Sequence, residues 1–501
     1  MEKYLGKNGY PRKMLKGKRL GLVCLILLGV ILRFWGLTRL SLWCDESEAL
    51  FLGRLSIQEM LRFISRQDAH PPLFYLLIHG MLKVGETDGW LRVLPALAGS
   101  LCLPVAWSLA RRLAGEKEAF YLIMFLAVSP VHILWSQVVK SYTLFTLLGL
   151  LSSLFFFQCL SEEEFRWRLA LFWGNLLLLY LHHYSIFFLA SQFLTLLWLK
   201  KFDRRWMIFY FLIFVFWIPW LIVIPYQLSY TGGIIRRLPQ VLRLPYFLFY
   251  TVLGETVSPF NPTVVLPAAA SAITGWFFGF VKLRCLLPRE TRIFFLFLLL
   301  LPLAAIPFRS TLPQNLVPFT IFWYLLLALG LREKMKRPFL FMALVTMIFS
   351  DIYYFTGRAS QFHDVSRLAP IKEIAEELSR RTRSDDIIVI NEERKFAQGK
   401  PISIFDHYYR GNIPVLSFRP ESGPLEQLDN ILVGYNRVWL LQIHAGEPVW
   451  NKQLRQYFQD RFLCEESSQY LENERWLQTI RTGQREFYPY VTLDLFTRKI
   501  E

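Results

Sequence analysis

Two short acidic motifs near the start of the chain carry the side chains best suited to chemistry. Asp45 and Glu46 follow a tryptophan in a polar stretch, and Asp68 and His70 begin the stretch Asp-Ala-His-Pro-Pro-Leu-Phe-Tyr. A positioned carboxylate can remove a proton from an incoming nucleophile, and a histidine can exchange one. Acidic charge next to apolar segments is costly and usually functional. We therefore expect the active site in the loop that holds both motifs.

Composition assigns the chain to the integral membrane proteins. Of its 501 residues 54% are hydrophobic and 16% aromatic, and the mean hydropathy is +0.32. The net charge of +17 comes from basic residues in short clusters between apolar segments, a topology signal that predicts no nucleic-acid partner. The six cysteines show no CxxC pairing, so neither a zinc site nor a disulfide framework is expected, while one bridge between Cys44 and Cys464 is left open.

The elements that position these residues are apolar segments of membrane-spanning length. We predict a mainly α, polytopic bundle of about eleven transmembrane helices, at 20–37, 91–110, 119–136, 142–160, 168–181, 184–199, 206–226, 263–281, 291–308, 315–331 and 338–356. The apolar run Leu73–Val84 is too short to span and predicts an interfacial helix in the first outer loop. The first span follows a basic segment without a cleavage site, which is typical of a start-anchor.

Basic clusters set the predicted orientation in a plasma (inner) membrane. They alternate with connections that carry few basic residues, which places the amino terminus in the cytoplasm and the acidic loop on the extracytoplasmic face. An odd number of spans puts the tail on that face too. We predict a transmembrane domain at 1–356 and a small extracytoplasmic α/β domain at 357–501, with a binding or structural role. Its predicted elements are a helix at Ile371–Arg381 and strands at Asp386–Ile390, Arg437–Ile443 and Tyr490–Thr497.

These candidate residues also have purely structural interpretations. Asp45 could be a helix N-cap with Glu48 completing a capping box, and Pro71-Pro72 could only open the next helix. Lys140 could snorkel, Tyr142 could belong to an aromatic belt, and interfacial water could satisfy one member of the pair His182-His183.

Cations predicted on the same face favour the functional interpretation. Lys140, Arg309 and the paired histidines accompany the acidic residues there. A cation that neutralises a phosphate beside a carboxylate that accepts a proton is what displacement of a phosphate leaving group requires.

Four motifs in this order resemble those of a known family. They are Trp43-Cys44-Asp45-Glu46, Asp68 to Tyr75, Ser136-Gln137 with Lys140 to Leu144, and His182-His183-Tyr184. Together they are similar to the C-type membrane glycosyltransferases of the family 39, protein-mannosyltransferase-like group. The resemblance implies a hexosyl- or pentosyltransferase that moves a sugar from a polyprenyl-phosphate donor to a lipid, protein or polysaccharide acceptor, by inverting displacement on the extracytoplasmic face.

The resemblance also implies roles for individual residues. Asp45 matches the general base, and Glu46 matches the neighbour that orients the acceptor or helps to hold a metal. Asp68 and His70 match positions beside the sugar or phosphate. Two further matches, Tyr142 and His183, lie near the donor pocket. No cofactor is implied with certainty, and a divalent metal is left open.

Two departures from the family pattern concern the binding of the donor phosphate. Lys140 stands where arginine is common, which keeps the charge but loses bidentate phosphate recognition. A later Pro-Arg-Tyr-like motif is Pro313-Gln314-Asn315 here, so we expect Arg309 to supply the missing charge.

Three other functions are weighed against this one. A lipid or solute transporter or flippase would also have many spans, although transporters place ionisable groups near the membrane midplane and often have repeated halves. A non-catalytic scaffold that binds through its tail would leave the loop carboxylates unexplained. A ligase of preassembled glycans remains open on the sequence alone.

Overall fold

The computed structural model describes residues 16–68, 70–231, 240–306, 313–357, 368–391, 395–397, 400–419, 423–443, 449–474 and 487–499. These residues form two compact units, each with its own internal contacts. We call residues 16–37 and 56–357 the helical unit, and residues 38–55 and 368–499 the α/β unit. The predicted domain boundary near residue 356 stays a prediction, and the structure groups the early segment 38–55 with the tail.

Helices dominate the described chain, in agreement with the predicted mainly α fold. In chain order they are α1 (Lys16–Phe34), α2 (Cys44–Arg54), α3 (Ile57–Gln67), α4 (Leu73–Leu82), α5 (Asp88–Ala114), α6 (Glu116–Ala127), α7 (Pro130–Ser136), α8 (Tyr142–Ser161), α9 (Phe165–Leu181), α10 (Ile186–Trp198), α11 (Arg204–Leu221), α12 (Ile224–Thr231), α13 (Gln240–Leu253), α14 (Pro262–Leu286), α15 (Arg289–Ala305), α16 (Val317–Leu331), α17 (Arg337–Phe355), α18 (Ile371–Arg381), α19 (Ile404–Tyr408), α20 (Gln427–Ile431) and α21 (Val449–Arg461).

Each of the eleven predicted spans coincides with a helix or, for the third, with a bent pair. Within the part of the chain that the structure describes, six helices are suited by length and composition to cross a membrane, or seven when α6 and α7 count as one span bent by 57°. The bend falls at Ser129-Pro130, where the Ser129 side chain accepts a hydrogen bond from the His132 backbone and proline occupies the first turn of α7. The number eleven itself stays a prediction.

The loop between the first two long spans contains the short helices that the sequence led us to expect. Ser56 and Glu59 form a capping box that starts α3, and α4 begins directly after Pro72. The structural alternative for Asp45 is wrong: Asp45 is not an N-cap paired with Glu48. Trp43 is the N-cap of α2, and Glu46 at the third helical position accepts a hydrogen bond from the Trp43 backbone at 3.2 Å.

A glycine-lined crossing joins α14 to α16. A Cβ atom added to Gly330 of α16 would overlap the carbonyl oxygen of Gly275, and one added to Gly279 would overlap the carbonyl of Leu326. Helices within a bilayer gain little from the hydrophobic effect against each other, so close backbone approach over small residues provides the packing. This crossing holds α16, the helix that begins just after Pro313-Gln314-Asn315.

Polar side chains connect α8, α9 and α10 through a closed network. Ser152 donates to Asn175 at 2.6 Å, Asn175 donates to Gln192 at 2.8 Å, and Gln192 donates back to Ser152 at 2.7 Å. All three side chains are fully buried. Because a polar group in hydrocarbon is costly unless it is paired, this network fixes the register of the three helices, two of which flank the His182-His183 connection.

The α/β unit contains a five-stranded sheet of order β4-β1-β5-β7-β6 and a separate hairpin of β2 and β3. The strands are β1 (Asp386–Ile390), β2 (Lys395–Ala397), β3 (Lys400–Ile402), β4 (Val415–Ser417), β5 (Arg437–Ile443), β6 (Phe462–Glu474) and β7 (Phe487–Arg498). The first three strands of the order are parallel, and the last two pair antiparallel. The predicted helix and three strands occur where expected, whereas the long strand β6 was not predicted.

The early segment 38–55 is built into this unit. The Leu42 backbone donates to the Tyr408 hydroxyl at 2.7 Å, and the Lys372 backbone donates to the Ser41 hydroxyl at 3.0 Å. Helix α2 contacts the β2–β3 hairpin. The tail therefore anchors the motif that contains Asp45 and Glu46. In the same unit Cys464 is a free thiol, so the disulfide left open above is not formed.

The α14–α16 crossing predicts opposite effects for two glycine substitutions. Gly330→Ala should lower the free energy of unfolding of the detergent-solubilised protein by about 1–3 kcal/mol, because the new methyl group forces the two helices apart. Gly80→Ala is the matched control: a Cβ there meets nothing within 4 Å, and alanine favours the helix by roughly 0.5–1 kcal/mol. Equal unfolding temperatures for Gly330→Ala and the wild type would show that the close crossing contributes nothing.

Candidate active site

Side chains from three separate connections of the helical unit gather into one cluster. Asp68 and His70 come from the turn between α3 and α4, Tyr142 begins α8, and His182 ends α9. The His182 ring centroid lies 5.7 Å from that of His70 and 6.0 Å from that of Tyr142. Predicted residues that are far apart in sequence are therefore neighbours, and His182 joins them.

Asp68 is the buried acid of this cluster. One of its carboxylate oxygens accepts hydrogen bonds from the His70 backbone and from His70 Nδ1, each at 3.1 Å. Burial alone would raise the pKa of Asp68, but the bond and charge of His70, a bond from Tyr75 and the charge of Lys140 outweigh it and lower the pKa to about 2. The carboxylate is therefore ionised at every physiological pH.

His70 is the more accessible partner of this pair. Its side chain is 26% exposed, compared with 4% for Asp68. Since Nδ1 donates to a permanent carboxylate, Nδ1 carries the proton and Nε2 is the nitrogen that can address a ligand.

His182 has the opposite character and forms the apolar wall of the cluster. Its ring stacks on Phe145 at 4.7 Å, and its Nδ1 accepts a hydrogen bond from the Tyr184 backbone at 3.2 Å. Burial, followed by the neighbouring rings of His70 and His183, lowers the pKa of His182 well below its ordinary value, although a hydrogen bond with Asn315 acts in the opposite direction. His182 is consequently a neutral ring.

Lys140 sits in the tight connection between α7 and α8. It is buried, and its charge acts on Asp68. The same connection is tied to the end of α1, because Gln137 Nε2 donates to the backbone carbonyls of Leu32 and Trp35 at 2.9 and 2.8 Å. Tyr354 of α17 donates to the other end of the Gln137 side chain at 2.9 Å. These contacts hold the connection that carries Lys140 in one conformation.

Tyr142 is fixed by aromatic packing rather than presented to solvent. Its ring lies 4.4 Å from that of Trp135, edge to face, and it is almost fully buried. Trp135 in turn donates its indole hydrogen to the Tyr250 hydroxyl of α13. Tyr142 therefore belongs to the core directly beside His182, close to the predicted donor pocket.

His183 completes the set through Gln227 of α12. His183 Nε2 lies 2.9 Å from Gln227 Oε1, and Gln227 Nε2 donates to the His70 carbonyl oxygen at 3.0 Å. Gln227 is a site residue that the sequence analysis missed, since a glutamine in a loop carries no distinctive signal. Asn315 was missed as well, although the departure at Pro313-Gln314-Asn315 was a signal for it. His182 was named in the His182-His183 pair, but without a role of its own.

Asp45 and Glu46 belong to the α/β unit, in the first turn of α2. Glu46 is fully buried and its carboxylate caps the helix start, whereas Asp45 is only half-buried. Negative charge at a helix N-terminus is stabilised by the helix dipole. The structure thus gives Glu46 a local structural role and leaves Asp45 as the more accessible acid of the motif.

Two predictions are not addressed by these contacts. Arg309 lies outside the described residues. Within the described part of the chain, no group of three or more histidine, cysteine, aspartate or glutamate residues could hold a metal ion, and the suggested role of Glu46 toward a metal stays a prediction.

Comparisons with known proteins agree with the architecture of both units. Residues 69–223 match the family described as dolichyl-phosphate-mannose-protein mannosyltransferase. No curated protein sequence matches the chain closely enough to count as a relative. The crystal structure of ArnT from Cupriavidus metallidurans in the apo state shares 13% identity over 96% of this chain and 98% of that one, with a TM-score of 0.55. The same ArnT bound to undecaprenyl phosphate gives 12% identity, the same coverage and a TM-score of 0.53.

The likeness to ArnT establishes the fold, and the family match covers the region that contains His70, Lys140 and His183. The family match agrees with the resemblance inferred from the four sequence motifs. The chain is therefore similar to the dolichyl-phosphate-mannose-protein mannosyltransferases over residues 69–223, and it has the fold of ArnT.

Proposed function

We propose that this enzyme transfers a sugar from a polyprenyl-phosphate donor to a hydroxyl of an acceptor on the extracytoplasmic face, with inversion at the anomeric carbon. The observation that carries the proposal is the cluster of Asp68, His70, Lys140, Tyr142 and His183, because the family motifs assign these residues to the donor. The binding of undecaprenyl phosphate by ArnT, which has the same fold, supports a lipid phosphate as the donor carrier.

Lys140 supplies the charge for the donor phosphate, and His70 lies beside the Asp68 carboxylate. Both interact with Asp68, which keeps them in place before the donor arrives. A preorganised cation in a site of low dielectric stabilises a phosphate anion far more strongly than the same cation in water. As the sugar departs, the prenyl phosphate keeps the bonding electrons, and Lys140 stabilises its charge without protonating it.

Asp45 is the proposed general base. The acceptor oxygen attacks the anomeric carbon, the bond between that carbon and the phosphate oxygen breaks, and the hydroxyl proton moves to the Asp45 carboxylate. One carboxylate suffices because a phosphate leaves without an acid. Glu46 supports Asp45 by capping α2 through the Trp43 backbone, which fixes the turn from which Asp45 projects. The transition state has oxocarbenium character, as in other reactions at this carbon.

The donor lipid explains why such a site belongs in a membrane protein. A long prenyl chain is buried at about 0.8 kcal/mol per CH₂, so its partition into the bilayer supplies much of the binding free energy. The cluster then needs to recognise only the phosphate and the sugar. Contacts to the sugar and to the acceptor then determine which sugar is used, which acceptor receives it, and whether the transferase is hexosyl or pentosyl.

Replacing the proposed base gives the first functional prediction. Asp45→Asn should lower kcat for sugar transfer by about 100- to 10,000-fold, because the amide cannot accept the proton. Binding of polyprenyl phosphate, measured by tryptophan fluorescence quenching, should stay within error of the wild type. Asp385→Asn, the same change at an exposed position of the α/β unit, is the matched control and should leave transfer intact. Wild-type turnover by Asp45→Asn would remove Asp45 from the mechanism.

The second functional prediction concerns Lys140, the proposed cation for the donor phosphate. Lys140→Ala should weaken polyprenyl-phosphate binding by roughly 10- to 100-fold, since a charge-assisted hydrogen bond contributes about 1.5–3 kcal/mol. Lys140→Arg should recover most of the affinity because arginine keeps the charge. The exposed residue Lys83 provides the control substitution Lys83→Ala. If Lys140→Ala binds the lipid phosphate as tightly as Lys83→Ala does, another group holds the phosphate.

The third prediction concerns pH. Since the pKa of Asp68 falls from its ordinary 3.8 to about 2 in the folded protein, ionised Asp68 stabilises the fold above its unfolded pKa, and this stabilisation disappears as pH falls through the folded value. Asp68→Asn should therefore cost about 2 kcal/mol of unfolding free energy at neutral pH. The deficit should shrink as pH falls below about pH 4. Thermal unfolding between about pH 7 and pH 3 tests this, and a deficit that stays the same below about pH 4 would contradict it.

A further inference from the structure

Gln227 occupies the junction of three connections in the helical unit. It lies on the short helix α12 and is almost fully buried. Its side-chain nitrogen donates to the carbonyl oxygen of Ile64 at the end of α3, at 3.1 Å, and to the carbonyl oxygen of His70, at 3.0 Å. Its side-chain oxygen lies 2.9 Å from His183 Nε2. One amide thus joins α3, the Asp68–His70 turn and the connection that carries His183.

This geometry fixes the orientation of the amide. A backbone carbonyl oxygen only accepts hydrogen bonds, so the two carbonyls of Ile64 and His70 require both hydrogens of the Gln227 nitrogen. Rotating the amide by 180° would set its oxygen against two carbonyl oxygens and leave all three without a donor. The Gln227 oxygen therefore faces His183, and an amide oxygen only accepts.

The protonation of His183 follows from that orientation. Nε2 of His183 must donate to the Gln227 oxygen, so Nε2 carries the hydrogen. In the neutral ring, Nδ1 is then a hydrogen-bond acceptor. His70 is the reverse case, because its Nδ1 donates to Asp68. The cluster therefore contains two histidines with their hydrogens on opposite nitrogens. The Asp68 carboxylate holds the hydrogen of His70 on Nδ1, and the Gln227 amide holds that of His183 on Nε2.

We propose that Gln227 is a positioning residue that keeps the hydrogen of His183 on Nε2 and joins His183 to the Asp68–His70 turn. The proposal rests on the proposed function, in which His183 lies at the donor pocket. A neutral amide at this position offers His183 no charge that would favour its imidazolium form.

A pH test is interpretable because a substitution at Gln227 leaves the titratable side chains around His183 in place. The titratable side chains of the cluster are His182 and Tyr184 on the same connection, Asp68 and His70 on the α3–α4 turn, and Lys140 and Tyr142 between α7 and α8. Asp68 stays ionised and His182 stays neutral throughout the working pH range. A shift of the acid limb in the kcat–pH profile can therefore be assigned to His183 by substituting His183 itself.

Gln227→Glu is the test. A carboxylate of nearly the same shape cannot donate to the two carbonyls, and its charge stabilises the imidazolium form of His183. The acid limb of the kcat–pH profile for sugar transfer should move to higher pH by about one unit. Gln58→Glu, the same charge change at an exposed position of α3, should leave the profile unchanged. Gln227→Met removes the hydrogen bonds without adding charge, and it should lower kcat at every pH without moving the limb.

A second substitution separates positioning from simple damage to the fold. In the double variant Gln227→Glu with His183→Gln, the shift of the acid limb should vanish, because the group that titrates is gone. A profile of Gln227→Glu that is merely lower at every pH would overturn the proposal. The same conclusion follows if the shift persists in the double variant.

A readout that does not use activity keeps this inference distinct from the proposed function. In protein labelled with ¹⁵N-histidine, the resonances lost in the His183→Gln variant identify His183, and its nitrogen shifts report the tautomer. A protonated Nε2 with an unprotonated Nδ1 in the wild type supports the inference even if no lipid-linked sugar is ever consumed. A protonated Nδ1 contradicts it even if the enzyme is active.

Discussion

Burial of the Asp68 carboxylate constrains the helical unit more than any other single feature. A carboxylate taken out of water costs several kcal/mol unless charge and hydrogen bonds compensate it. Here the compensation comes from His70, Tyr75 and Lys140, which belong to three different elements. The requirement to satisfy one anion therefore brings the α3–α4 turn, the start of α4 and the α7–α8 connection together. Lys140 and His70, which stabilise the Asp68 carboxylate, are then already in place for a phosphate.

The remaining architecture keeps those connections in register. The closed network of Ser152, Asn175 and Gln192 fixes the helices around the His182-His183 connection, and Gln137 ties the Lys140 connection to the end of α1. Each contact is a hydrogen bond made where water is scarce, so leaving it unmade would be expensive. The position of the cluster thus depends on polar contacts within the bundle as well as on close helix packing at the α14–α16 crossing.

The difference between local patterns and long-range contacts explains what the sequence alone could reveal. The eleven helical segments were predictable because an apolar run of sufficient length is a local signal, and the tail's main strands followed from their apolar character. The structural alternative that made Asp45 an N-cap failed because Glu46 and Glu48 both fit a capping pattern, and only the backbone conformation of Trp43 decides between them. No local pattern could indicate that Leu42 bonds to Tyr408, more than three hundred residues away. Gln227 was unpredictable for the same reason.

The central claim is that the polar cluster serves a lipid-phosphate sugar donor. The most direct measurement is to incubate the purified protein, with membrane extract as the source of acceptor, with a panel of radiolabelled polyprenyl-phosphate sugars. The account predicts that one of them is consumed, that the label enters acceptor material and polyprenyl phosphate is released, and that Asp45→Asn prevents this. Folded wild-type protein that consumes none of the panel, or an Asp45→Asn variant that consumes as much as the wild type, would contradict it.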